Sequence, residues 1–204
     1  RRQAAYSALS DFAQETFSGI ADRRIKVAWG QMEAPGACFT SQMNFPTEVR
    51  LDCVDGKYRL ATLPIPEIAQ LRTDTRTWEK AATAANPLID YLNGGAYEIT
   101  IRFGKGCGGM AVELYGLHLR ILPEENILEL PERVVPLSYN YSGREVRLLI
   151  DTMSMEVFSD EGRIYTAIPC LPDLQNRQFT LAPVKSTQVC EVAVSISPLG
   201  DIWE

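Results

Sequence analysis

Tyr97-Glu98-Ile99-Thr100-Ile101-Arg102-Phe103 alternates apolar and polar side chains without a break. A period of two over this length predicts a strand with one buried and one wet face. Shorter runs of the same kind follow at Met110 to Tyr115, Leu117 to Leu122, Val146 to Ile150, Met155 to Phe158 and Arg163 to Ala167. Cys190 to Ile196 repeats the alternation near the end. Turn chemistry separates the runs: Asp55-Gly56, Asn93-Gly94-Gly95, Ser142-Gly143 and Asp160-Glu161-Gly162. Glycine beside Asn, Asp or Ser favours tight reversals. Many short strands joined in this way predict an all-β chain, an antiparallel β-sandwich of the jelly-roll or concanavalin-like kind.

Helical signals are sparse. Pro66 to Arg72 predicts a short helix with proline in its first turn. The Ala-rich stretch Thr77 to Ala85 predicts a second, and residues 2–14 are also helix-compatible. Two strand-like pieces, Phe12 to Phe17 and Arg24 to Trp29, precede the main series. A two-stranded ribbon is marginal in water and needs a neighbour. Residues 1–42 are therefore expected to form an appendage, and residues 43–204 the sandwich.

Composition narrows the function. A net charge of −6 leaves no basic surplus for a phosphate backbone, which argues against a nucleic-acid partner. No run reaches the about 18 apolar residues of a spanning helix, so no membrane partner is expected. Arg1-Arg2-Gln3-Ala4 lacks the apolar core of a signal peptide. The five cysteines are widely spaced with no C-x-x-C pair, and their odd number leaves at least one thiol free. They are expected to be small buried hydrophobes rather than metal ligands. His118, the one histidine, has no partner that would make it a ligand, so no metal or cofactor is expected. Gly104-Lys105-Gly106-Cys107-Gly108-Gly109 does not fit a phosphate-loop pattern and predicts a hairpin loop. Asn140-Tyr141-Ser142 is a glycosylation sequon, meaningful where a eukaryote secretes the chain.

Four segments, in order, resemble family 32 glycoside hydrolases, the invertases, levanases, inulinases and fructan exohydrolases. Asp11-Phe12-Ala13-Gln14-Glu15-Thr16-Phe17-Ser18 with Arg23-Arg24-Ile25-Lys26-Val27-Ala28-Trp29 is similar to the last propeller blade of that family, with Ala28 in place of the usual Gly. Gln42 to Leu51 resembles the join between propeller and sandwich, with Thr47 for the commoner Arg. Arg59-Leu60 and Pro64-Ile65-Pro66-Glu67-Ile68 match a segment inside the sandwich. Leu149 to Gly162 resembles V-D-R-S-S-V-E-V-F-x-N-D-G, departing at Thr152 and Met153. The resemblance implies that the N-terminal strands are the remnant of a propeller blade.

It also implies a retaining mechanism in which one carboxylate attacks the anomeric carbon and another protonates the leaving oxygen. In the family these acids lie in W-M-N-D-P-N-G-like, R-D-P and E-C-P motifs of the first four blades. None of those motifs occurs in this sequence. The resemblance thus implies a non-catalytic sandwich that stabilises a catalytic propeller and shapes its cleft or an oligomer contact. Trp29 matches a tryptophan that lines the family's fructosyl pocket, although packing within a strand pair is the favoured account for this chain, since the rest of that pocket is absent.

Asp151 and Glu156 lie in the strongest motif. Asp151 is expected to cap the Thr152-Met153-Ser154 turn, and Glu156 to point outward from an alternating strand. Fructan-binding modules that resemble this sandwich hold a terminal fructose with acidic and basic side chains. That resemblance makes Asp151, Glu156 and Arg147 the candidate contacts of a fructan oligosaccharide. A homodimer through the exposed N-terminal strands is a further expectation. Family members that degrade polymers are secreted or periplasmic, and those using phosphorylated sucrose are cytoplasmic. The expectation here leans outside the cytoplasm.

Overall fold

A computed structural model describes residues 11–33, 35–36, 38–104, 106–131, 133–136 and 145–201. The sequon at Asn140, the Ser142-Gly143 turn and most of the helix-compatible stretch 2–14 lie outside them. The described residues form antiparallel strands with two short 3₁₀ segments, arranged as three sheets.

The first sheet is small. It holds β1 (Phe12–Thr16), β2 (Ile25–Gly30), β3 (Gln42–Met43), β4 (Thr47–Val54) and β5 (Lys57–Pro64), in the order β1-β2-β4-β5 with β3 also on β2. A 3₁₀ helix, Pro66–Leu71, ends it; proline at the start supplies a preset φ and lacks a hydrogen-bond donor that would go unused there. The remaining strands are β6 (Arg76–Thr83), β7 (Leu88–Tyr91), β8 (Tyr97–Phe103), β9 (Met110–Leu114), β10 (Leu117–Leu122), β11 (Ile127–Leu130) and β12 (Arg133–Pro136). They are followed by β13 (Glu145–Ile150), β14 (Ser154–Ser159), β15 (Ile164–Pro169), β16 (Gln178–Pro183) and β17 (Val189–Pro198). These make two six-stranded sheets, β12-β11-β10-β9-β16-β7 and β15-β14-β13-β8-β17-β6.

The two large sheets face each other, and the core lies between them. Ile99, Ile101, Leu148, Ile150, Val157 and Val194 from one sheet share a single buried cluster with Val112, Leu114, Leu119, Ile121, Phe179 and Leu181 from the other. Each such side chain removed from water contributes roughly 1.5–3 kcal/mol, so the cluster dominates the stability of the sandwich. The expected β-sandwich is present.

Three expectations need correction. Thr77 to Ala85 is not helical. Most of it forms β6, paired with β17 from Arg76↔Ile196 to Thr83↔Val189. Trp78 and Ala82 turn to the core while Thr77, Glu79 and Ala81 are exposed, a period of two that outweighs alanine's helix preference. The cysteines are not uniformly buried. Cys38 and Cys53 are exposed, whereas Cys107 and Cys190 form a disulfide with Cα atoms 5.3 Å apart. The Gly104 to Gly109 segment is not a hairpin loop, because β8 and β9 lie in different sheets. It carries Cys107 across to the end of β17, which the β8–β17 pairing has already brought close.

The small sheet lies against the outer face of the β15-β14-β13 end. All six residues of β14 are buried, Met155 and Val157 by the sandwich core and Phe158 in a second cluster with Ile68, Leu149, Tyr165 and Ala167. Phe45, Ile65 and Leu199 pack against that cluster from outside. The contact is tight at Gly162, where an added Cβ would sit 2.7 Å from both Leu63 Cγ and the Thr62 carbonyl oxygen. With φ at +86°, that position also requires the backbone freedom of glycine. Because β2 pairs with β4 and β4 with β5, the hydrogen-bonded sheet runs continuously across residue 43.

Candidate functional site at the sheet junction

The chemistry-bearing residues of the first segment converge where the small sheet meets the sandwich. Asp11 precedes β1, and Lys26 lies on β2 with its side chain turned inward. Lys26 Nζ donates to Asp11 Oδ2 at 2.8 Å, and Gln14 Nε2 donates to the same oxygen at 2.7 Å. Lys26 Nζ also lies 4.9 Å from the centre of the Tyr165 ring, a cation–π contact with β15. Glu156 on β14 is fully buried. Its Oε1 accepts the Phe45 N–H at 2.7 Å and its Oε2 accepts the Tyr165 hydroxyl at 2.9 Å. One acid of the sandwich thus holds a backbone amide of the segment between β3 and β4, and one aromatic of the sandwich covers an ammonium of β2.

Burial sets the protonation here. Removal from water pushes the Glu156 carboxyl up to about 8, and the nearby Asp11 charge adds to the effect. The hydrogen bonds from Phe45 and Tyr165 and the Lys26 charge oppose it without cancelling it. Tyr165 is held far above the usual phenol range by burial first, then by the Glu156 and Asp11 charges. A sealed carboxyl in this state serves as a hydrogen-bonded pin between two sheets. Asp11 and Glu156 are both closed to solvent, so this pair of acids offers no space to a substrate.

The other sequence candidates lie apart from this junction. Glu156 does not point into water as expected, because the small sheet covers the face that alternation assigned to solvent. Asp151 follows β13, and its Oδ1 accepts the Thr152 N–H at 2.7 Å, closing the turn into β14. Arg147 on β13 is bound to Glu98 on β8, as is Arg72 at the end of the 3₁₀ helix. The structure does not bring Arg147, Asp151 and Glu156 into one site. Trp29 is the penultimate residue of β2, with Phe12 and Met43 as its cross-strand neighbours. The three are 42%, 45% and 58% exposed, an apolar row on the outermost part of the small sheet. His118 is exposed beside Glu113 at 3.1 Å. Among the described residues, no group of three His, Cys, Asp or Glu is placed to hold a metal ion.

Sequence reasoning missed Lys26, Tyr165 and Asp11 as a unit, and it missed Glu98. An Asp just ahead of a strand and a Lys in the middle of an apolar one were the available signals, since buried charges must be paired. Nothing local linked either residue to Tyr165, which lies well over a hundred positions away.

No protein-family model matches the chain. A levanase from Bacillus sp. (strain L7) is 25% identical over 225 residues, covering 94% of this chain. The chain resembles the C-terminal part of a family 32 glycoside hydrolase. The exo-inulinase of Aspergillus awamori superposes with a TM-score of 0.75 at 16% identity, covering 96% of the chain. A family 32 β-fructofuranosidase from Bombyx mori gives 0.68 at 18% identity over 95% of the chain. At these identities the two structures report a shared fold. The chain spans only 24% of the levanase, 44% of the inulinase and 41% of the fructofuranosidase.

Proposed function

We propose that the chain is the non-catalytic sandwich portion of a fructan- or sucrose-hydrolysing family 32 enzyme, holding the catalytic propeller and shaping its cleft or an oligomer contact. The observation that carries this reading is the small sheet. Its strand β1 is exposed along its whole length, and the Phe12, Trp29 and Met43 row lies beside it. Such an apolar edge fits further strands of a propeller, or the same edge of a second copy in a homodimer. On its other side the sheet is pinned through Glu156 and Tyr165, so strands added to β1 would be fixed rigidly to the sandwich. The Cys107–Cys190 bond supports a secreted or periplasmic setting.

The test is to produce the propeller of the parent enzyme with and without residues 43–204 and to measure its melting temperature and fructose release. Loss of several degrees and of most activity on deletion is the expected result. An equally stable and active shortened propeller would refute the role. The chain by itself is expected to release no fructose from sucrose, levan or inulin.

A second reading, carbohydrate binding by the sandwich, is favoured by a separate observation. The outer face of β13-β8-β17, beyond the small sheet, forms a polar cleft that includes Arg147.

A further inference from the structure

Strand register builds this cleft. Arg147 lies across from Thr100, Thr100 from Ser195, and Ser195 from Thr77, so an arginine on β13 heads a row of small hydroxyls on β8, β17 and β6. The next row places Glu98 across from Ser197, and Ser197 shares a 2.9 Å hydrogen bond with Thr75. The row on the other side places Glu145 across from Arg102, joined at 2.6 Å. Inward side chains of the same strands fill the core, and their outward neighbours are short, which leaves a floor of Thr and Ser between walls of Arg and Glu. The resulting space is about 260 Å³.

Glu98 organises the walls. Its side chain is 2% exposed, and its carboxylate binds both Arg72 and Arg147. Burial acts to raise the Glu98 carboxyl, but the two guanidinium groups outweigh it and hold it below the usual range. One acid therefore orients two arginines and satisfies only part of their donor capacity. The Thr100 and Ser195 hydroxyls have no hydrogen-bond partner among the described residues. The cleft presents guanidinium donors, a carboxylate acceptor at Glu145 and hydroxyls of either sense at fixed positions.

We infer that this cleft, between Arg72 and Arg147 on one side and the Thr100 and Ser195 hydroxyls on its floor, binds one or two sugar units through their adjacent hydroxyl groups. A sugar ring carries groups that both donate and accept, which the mixed lining matches. Both carboxylates of the wall are paired with arginines, so charge of each sign is largely matched within the lining. The volume suits a mono- or disaccharide end rather than the middle of a bulky polymer. The inference rests on the carbohydrate-binding reading and assigns it a place distinct from Asp151 and Glu156.

Titration of fructose, sucrose, short inulin and levan oligosaccharides and maltose into the full chain, followed by amide NMR, tests it. The expected result is millimolar binding with shifts centred on Thr100 and Ser195. Ser195→Trp fills the cleft and Arg147→Ala removes a wall, and each should weaken binding at least tenfold. Ser195→Trp alters an outward floor position and should leave the remaining amide spectrum folded. Binding that survives both variants, or shifts centred elsewhere such as on Trp29, overturns the site while leaving carbohydrate binding intact. No binding of any sugar by the wild-type chain removes both. Equal binding of maltose keeps the cleft and separates it from fructose.

Discussion

Glu156 shows how far a residue's role depends on what covers it. Met155-Glu156-Val157-Phe158 alternates, and alternation reports that two faces differ in polarity. It does not report that a third layer lies on the polar one. The acid is consequently a cost that its hydrogen bonds only partly offset, and that cost depends on pH. Its carboxyl ionises at about 8 in the folded chain against an ordinary 4.5. Between those values the folded state binds more protons than the unfolded one, so this group's contribution to stability is complete below about pH 4.5. It is lost progressively as pH rises to 8. A Glu156→Gln variant keeps an acceptor for the Phe45 N–H and removes the titration. Denaturant melts at pH 5 and pH 8 should show the wild type losing a few kcal/mol relative to this variant over that interval. Parallel losses in both proteins would mean that Glu156 is not protonated in the fold.

At the level of elements, the strands with the cleanest alternation were the most legible. Tyr97 to Phe103 and Cys190 to Ile196 are central neighbours in one sheet, and both were evident from their own residues. Thr77 to Ala85 was not, because its strand identity depends on the β17 backbone beside it rather than on local preference. The small sheet was half legible. Its first two strands were recognisable, but the membership of β4 and β5 depends on the pairing of β4 with β2, which leaves no local mark. The turn at Asp160-Glu161-Gly162 was read correctly as a turn, yet its purpose appears only in three dimensions. It lets the β5 strand approach the sandwich. Gly162→Ala therefore combines a strained φ with a collision against Leu63 and Thr62, and should destabilise the chain by about 2–4 kcal/mol. An unchanged melting temperature would show that β5 does not pack there.

For the whole molecule, the buried cluster between the two large sheets carries most of the stability, and the disulfide adds to it. Cys107 and Cys190 are separated by 83 residues, and closing a loop of that size restricts the unfolded chain. Chain-entropy arithmetic gives about 4–5 kcal/mol, and native disulfides commonly deliver 2–4. Reduction, or a Cys107→Ala, Cys190→Ala double variant, should lower the denaturation free energy by about 2–4 kcal/mol while the strand content stays the same by circular dichroism. If the double variant is as stable as the wild type, the bond does not stabilise the fold. The pairing was not legible in five scattered cysteines, because only the β8–β17 register brings these two together. The order of family-like segments along the chain did foretell the architecture, since each of them falls on a strand or at a sheet contact.

Strand β2 is hydrogen-bonded to β3 and β4 as well as to β1, and this has a practical consequence for anyone dividing the gene. A cut between residues 30 and 47 would not pass through a linker. It would tear a sheet, leaving one product with an open β4 border and the other with β1-β2 as an orphan ribbon. Natural recombination faces the same obstacle, so the small sheet and the sandwich are best inherited as one block.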